Sequence, residues 1–387
     1  MKAQNIKLRF TLMQFLLWFT FGTFGIFYIA YIKEIGYSSK YIAFGLTLST
    51  ISGIFAQYFW GYISDLTSKI KTIFLSLLIA LMVVVTLFIF FAQNNILVII
   101  IMILFGMTWM PLEALLDSWI LSSDEIVNSE YGSIRSGGSL GFSIITVFFG
   151  SLIVRFGFQV SPISFVLAGT LLFIIALTTK THTTKTPHPM GLKQIGQLVR
   201  NTEYLAILGF SIIIFVGHMG VNNFYIYIVN DVGGNESLIG LAAATAAFAE
   251  IFGFYVSSKL QTKVNPMLLM IGVAIGSFLR VFLLAQFQSN IGVIITALIQ
   301  GLTFSFFLGT FKIYITKVTP IALLASAQTL GASSYFGIAS IIANIFGGVL
   351  IADYGMDAFY NFLIVVAGIA IVYSLVLYYS SRRKETT

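Results

Sequence analysis

The sequence predicts an all-α membrane protein with twelve transmembrane helices in two six-helix bundles related by a pseudo-two-fold axis. Three observations predict it. Of 387 residues, 58% are hydrophobic and 9% charged, and the mean hydropathy is +0.96, more apolar surface than a water-soluble domain can hide in its core. Apolar stretches of about 20 residues, the length that crosses a hydrocarbon layer of about 30 Å, recur along the whole chain. The third is an internal echo. GGSLGFSIITVFFGSLIVRFG, ending at Gly157, resembles ASSYFGIASIIANIFGGVLIADYG, ending at Gly355, with Gly150 matching Gly348 and Leu152-Ile153 matching Leu350-Ile351 at one constant offset. Six spans followed by six in the same orientation form a parallel repeat, whose natural ligand site is a midplane cavity between the halves.

The apolar stretches fall near 9–32, 41–64, 72–92, 95–121, 136–154 and 159–178, then near 203–229, 237–258, 266–286, 291–316, 322–351 and 357–380. This divides the chain into an N-terminal bundle (1–179), a cytoplasmic linker (180–202) and a C-terminal bundle (203–387). The linker carries Pro187, Pro189, His182 and His188 within the longest polar stretch. The basic N-terminus has no small-residue cleavage site after the first apolar run, which predicts an uncleaved first helix.

With both termini inside, fifteen Lys and Arg fall on cytoplasmic segments, Lys69, Lys71, Lys259 and Lys263 among them. Only Lys33, Lys40 and Arg155 fall outside. That asymmetry sets the orientation in a cell (cytoplasmic) membrane and requires an even helix count. The net charge of +7 is thus an orientation signal, and no nucleic-acid-binding domain is present to use it. Cysteine is absent, which excludes disulfides and thiolate chemistry, and the three His are too scattered for a metal site.

Between the second and third apolar stretches lies GYISDLTSK, where Gly61 would permit close backbone approach, Asp65 would cap the next turn or pair with a cation, and Lys69 follows. It resembles the G-x-x-x-D-x-x-x-[RK] loop of the major facilitator superfamily. YGSIRSGGSLGF (Tyr131 to Phe142) is similar to the start of the fifth helix in that superfamily's proton-coupled oligosaccharide, phenylpropionate and nucleoside permease branches. The resemblance extends over most of the chain, through AAFAEIFGF with Glu250, SFLRVF with Arg280 and TFKIYIT with Lys312. The lactose permease type carries an acid in its fourth helix, eighteen positions before the arginine, and Asp117 stands eighteen before Arg135. One departure is LIQGLTFSFF in the tenth span, with Gln300 where that type has a His and a Glu.

An ionisable side chain at mid-span costs about 2.5–3.5 kcal/mol on insertion scales, so each is expected to face a cavity or a partner. Glu113 and Asp117, four apart, share a helical face, where mutual repulsion raises the proton affinity of at least one. With Glu250 they are the candidates for proton coupling. Arg135, at the cytoplasmic start of the fifth span, matches the depth of Asp117 and could pair with it or hold a solute. Arg280 is either a counter-ion of Glu250 or a solute contact, and Lys312, near a helix end, can snorkel. His218, Asn222 and Asn223 give the seventh span a polar face suited to lining a sugar or nucleoside site. Gln14 and Trp18 on the first span, and Gln300 on the tenth, add amides and an aromatic platform.

The resemblance implies a secondary active transporter that imports a small polar solute by proton symport and alternating access. A sugar or oligosaccharide comes first as the solute, a nucleoside or aromatic acid next. It implies a single chain in lipid, with solute and protons as partners and no cofactor. A proton-coupled exporter of drugs or metabolites is the rival, weakened because SGGSLGFSIITVFFGSLIV lacks the proline of the Gly-Pro-rich fifth helix usual in exporters. A membrane transferase is disfavoured because no set of catalytic acids is concentrated anywhere, so no enzyme is expected.

Overall fold

The computed structural model describes residues 3–123, 130–179, 192–261, 263–320 and 323–385. Among the described residues every regular element is a helix. Two compact units are formed, Met1–Pro189 together with Asn235–Ala244, and Met190–Gly234 together with Thr245–Thr387.

The first unit holds α1 (Ala3–Phe24), α2 (Tyr28–Glu34), α3 (Ser39–Thr67), α4 (Ile70–Phe91), α5 (Asn95–Leu121), α6 (Tyr131–Phe156) and α7 (Val160–Thr178). Helices α1 and α2 together make one apolar span. Caps set the starts: Ser38 accepts from Tyr41 N, and Asn94 accepts from Ile96 N and Leu97 N. The largest pairings are α1 with α6 and α3 with α5. At the second, a Cβ on Gly106 would stand 2.1 Å from Ser49 O, so the two backbones touch only because residue 106 has no side chain.

A short helix, α8 (Leu192–Val199), leads into α9 (Thr202–Asn223) and α10 (Tyr225–Asp231). There follow α11 (Glu236–Leu260), α12 (Pro266–Gln286), α13 (Asn290–Val318) and α14 (Leu324–Ala332), then a π-helical turn (Ser333–Ile338) and α15 (Ala339–Glu385). In the second unit the close approach recurs, with a Cβ on Gly301 falling 2.1 Å from Ala246 O. Tyr335 of the π turn packs on Phe215 at 4.6 Å between ring centres and, edge-on, on Phe307 and Phe311.

Eleven uninterrupted stretches among the described residues are long and apolar enough to cross a membrane. The last, Ala327–Ser380, has 54 residues, roughly 80 Å of helix and more than twice a bilayer core. Gly355, at φ 82° and ψ −179°, breaks it into two spans, so the expected twelve are reached. Gly157, its partner in the sequence repeat, ends α6 at φ 79° and ψ 167°. Only glycine takes this conformation without strain, which explains why the two halves share the residue here. Large apolar side chains such as Phe55, Phe90 and Phe248 are at least 70% exposed, as a surface solvated by acyl chains requires.

Two details of the second apolar stretch differ from expectation. The helix runs to Thr67, so Gly61, Asp65 and their neighbours are helical and the turn is confined to Ser68-Lys69, with Ser68 left-handed at φ 54°. A Cβ on Gly61 would meet nothing within 4 Å, so close backbone approach belongs to Gly106, not Gly61. Helix α4 starts from Lys69 with no side-chain cap. Residues 180–191 of the expected linker, His182 and His188 included, lie outside the described residues.

Candidate functional sites, one in each unit

Three helices of the first unit each contribute a polar and aromatic stripe. Gln14, Trp18 and Phe21 recur along α1, Trp109, Glu113 and Asp117 along α5, and Tyr131, Arg135 and Phe142 along α6, at spacings that keep each set on one helical face. Gln14 is fully buried, and its Nε2 donates to Asp117 Oδ1 at 2.7 Å. Tyr131 also hydrogen-bonds Asp117. Arg135 Nη2 donates to Glu113 Oε1 at 3.1 Å, and both side chains are about a third exposed. The guanidinium lies 4.8 Å from the centre of the Trp18 ring, a cation–π contact. Trp18 stands edge-on to Trp109 at 5.9 Å, and Trp109 stacks on Phe21 at 4.3 Å. Gly138 leaves room for this, since a Cβ there would meet Trp18 Cδ1 at 2.5 Å. Pro111 interrupts the hydrogen-bond ladder of α5 two residues before Glu113.

The result is a cluster of aromatic rings, two carboxylates, one guanidinium and a buried amide. Such a set can bind hydroxyls through bidentate polar groups, stack a ring, and exchange a proton on a carboxylate. Gln14, Trp18, Glu113, Asp117 and Arg135 were each singled out from sequence, and the structure brings them together. Tyr131 was quoted within a sequence motif without a role, and Trp109 was not named, although their spacing from Arg135 and Glu113 places them on the same faces.

In the second unit Arg280, 4% exposed, donates from Nη2 to Gln300 Oε1 at 2.6 Å and to Asn222 Oδ1 at 3.5 Å. Asn222 Nδ2 lies 3.0 Å from His218 Nε2, one turn back on α9. The His218 ring stacks on Phe304 at 5.2 Å, with Phe215 at 5.1 Å. Around Arg280 is a small cavity, ≈ 20 Å³ for the centre of a water molecule, lined by His218, Ser277, Arg280, Thr303, Phe304 and Phe215 among others. Four residues singled out from sequence thus converge, and Ser277, Thr303 and Phe304 join them.

Asn223 points elsewhere, donating to Ser340 Oγ at 3.0 Å and Asn344 Oδ1 at 2.7 Å, which ties α9 to α15. Glu250 is half-buried on α11 beside the contact with Gly301 of α13. Lys312 is exposed, as a snorkelling side chain would be.

A model of the MFS_1 like family matches residues 8–363. The maltose permease of Geobacillus stearothermophilus is 24% identical over 380 residues, covering 97% of this chain and 95% of the permease. An uncharacterised transporter, YwbF, of Bacillus subtilis (strain 168) is 25% identical, covering 83% of this chain and 80% of its own. Among solved structures, the nucleoside transporter NupG superposes with a TM-score of 0.80 at 15% identity, covering 96% of this chain and 98% of the transporter. A bacterial homologue of the human lysosomal transporter Spinster gives a TM-score of 0.66 at 14% identity. The family match spans nearly the whole chain, and the fold is that of these transporters, so this multi-pass membrane protein belongs to the MFS_1 like family of the major facilitator superfamily and is a transporter, not an enzyme.

Proposed function

We propose that the protein imports a small polar solute across the cytoplasmic membrane by proton symport and alternating access, as a monomer with both termini inside. A sugar or oligosaccharide is the first candidate, a nucleoside or aromatic acid the next. The observation that carries this reading is the polar and aromatic cluster in the first unit, where Gln14, Trp18, Trp109, Glu113, Asp117 and Arg135 gather within otherwise apolar spans. Buried ionisable groups are costly in a bilayer and are retained where a solute or an ion needs them.

Aromatic faces beside carboxylates and a guanidinium suit a polyhydroxylated ring, whose apolar face stacks while its hydroxyls bond. Whole-length similarity to a maltose permease supports the sugar, and likeness to a nucleoside transporter supports the alternative. In this scheme Asp117, Glu113 or Glu250 takes up the proton, Gly61 and Asp65 near the end of α3 and Lys69 in the turn after it act in gating, and in the second unit His218, Asn222, Asn223, Arg280 and Gln300 bind solute.

The test is uptake in proteoliposomes with an alkaline interior, offered labelled maltose, uridine and 3-phenylpropionate in turn. Accumulation of one of these, abolished by a protonophore, is the expected result. Uptake that ignores the proton gradient removes symport from the reading. Failure of broader sugar, nucleoside and aromatic-acid panels would remove the solute assignment.

A further inference from the structure

Arg280 stands apart from every other buried polar group in the second unit. It lies on α12, about 20 Å along a helix that starts at Pro266, and only 4% of it is exposed. Its hydrogen-bond acceptors, Gln300 Oε1 and Asn222 Oδ1, are neutral amides, and both sit on the same nitrogen, Nη2. Among the described residues Nε has no hydrogen-bond partner. The titratable groups that face the guanidinium are His218 and Tyr225, and neither supplies a carboxylate. Arg135, in the first unit, has the Glu113 carboxylate at 3.1 Å. A guanidinium carries five donors in a planar fork that matches a carboxylate two-to-two, and a buried charge held by amides alone is under-compensated.

From this we infer that the transported solute is an anion, and that its carboxylate docks on Arg280. The inference rests on the transporter reading and narrows its solute class to an acidic sugar or an aromatic acid. The cavity at Arg280 admits a group the size of one or two waters, so only the charged end of the solute enters it. Phe215, Phe304 and the His218 ring frame that end, with Ser277 and Thr303 on the lining to bond a second oxygen. Arriving charge neutralises the guanidinium in low dielectric, where a charge-assisted, bidentate contact is strongest.

The experiment uses the purified full-length protein and matched pairs that differ only in the acid: maltose with maltobionate, glucose with glucuronate, 3-phenylpropanol with 3-phenylpropionate, at pH 7 and fixed ionic strength. Thermal stabilisation and direct titration are read for wild type, R280Q and R280K. The wild type is expected to bind at least one acid and to bind its neutral partner at least tenfold more weakly. R280Q should lose roughly ten- to hundredfold in affinity for that acid, with R280K in between. The comparison within wild type stands even if a variant folds poorly. Neutral partners that bind as well as the acids, no binding by any acid, or acid affinity untouched in R280Q would each overturn the inference. Neutral binding leaves the transport reading intact, since that reading is judged by gradient-driven uptake.

Discussion

The amide of Gln14 donates to the carboxylate of Asp117 across 2.7 Å, joining α1 to α5 within the polar cluster. Gln14 is fully buried, so the bond cannot be exchanged for one to bulk water without moving a helix. Replacing Gln14 by Leu should cost about 1–3 kcal/mol, the penalty of removing a donor from a buried acceptor. Chemical-denaturation midpoints of Q14L, D117N and the double variant check this. If the two losses simply add, the contact carries no coupling.

The ion pair of Arg135 and Glu113 makes a second cycle. E113Q or R135Q alone strands one charge in low dielectric and should destabilise by about 3–5 kcal/mol at full burial, less here because both groups are a third exposed. E113Q/R135Q should be milder than either single change. Folded yield and melting temperature in one detergent decide it, and a double variant worse than both singles would dissolve the pair.

Energy coupling gives a third expectation, a hypothesis motivated by the scarcity of acids within the spans. Among D117N, E250Q and E113Q, at least one should abolish accumulation driven by a pH gradient while preserving solute exchange, which needs the conformational cycle without net proton movement. Asp117 ranks first because it sits at the centre of the described network with Gln14 and Tyr131. Were all three variants to concentrate solute as wild type does, proton symport through these carboxylates would be wrong.

Asp65, in the last turn of α3, lies on a different part of the chain from either polar cluster. D65A should slow transport at least severalfold and leave equilibrium solute binding within about twofold. Parallel titration and initial-rate uptake separate the two, and a large binding loss with normal folding would remove Asp65 from a gating role.

The touching backbones at Gly106 and Gly301 predict matched defects. G106V or G301V pushes a side chain against a carbonyl oxygen at 2.1 Å, which overpacking data put at about 1–3 kcal/mol or more. G61V, where open space surrounds the Cβ, should lower folded yield far less. Size-exclusion yield of the three variants checks it.

The span pattern was legible because each crossing demands a long apolar run, and that demand is written in composition rather than in contacts. The twelfth span was separable in sequence at DYG, the same glycine that the backbone there requires. The stripe of Glu113 and Asp117 was legible from spacing alone. The 3.1 Å contact of Arg135 with Glu113 was not, since sequence matched the depth of Arg135 to Asp117 and carried no distance for Glu113. The close approach expected at Gly61 is absent for a related reason: a glycine in a motif says that a Cβ is absent, but only packing says what stands opposite.

The π turn at Ser333–Ile338 also alters how the eleventh span aims its side chains. One extra residue in a turn advances every later position by about 100° around the helix axis, since an α-helix rotates that far per residue. The stretch from Ala339 onward is therefore out of phase with α14. Asn344, which receives the Asn223 amide, lies beyond the phase change, and Ala327, which accepts from the Tyr204 hydroxyl, lies before it. A single slipped residue thus lets one helix dock on two sectors of α9, and closing that slip would turn the upper and lower docking sites of the span against each other like misaligned teeth on a shaft.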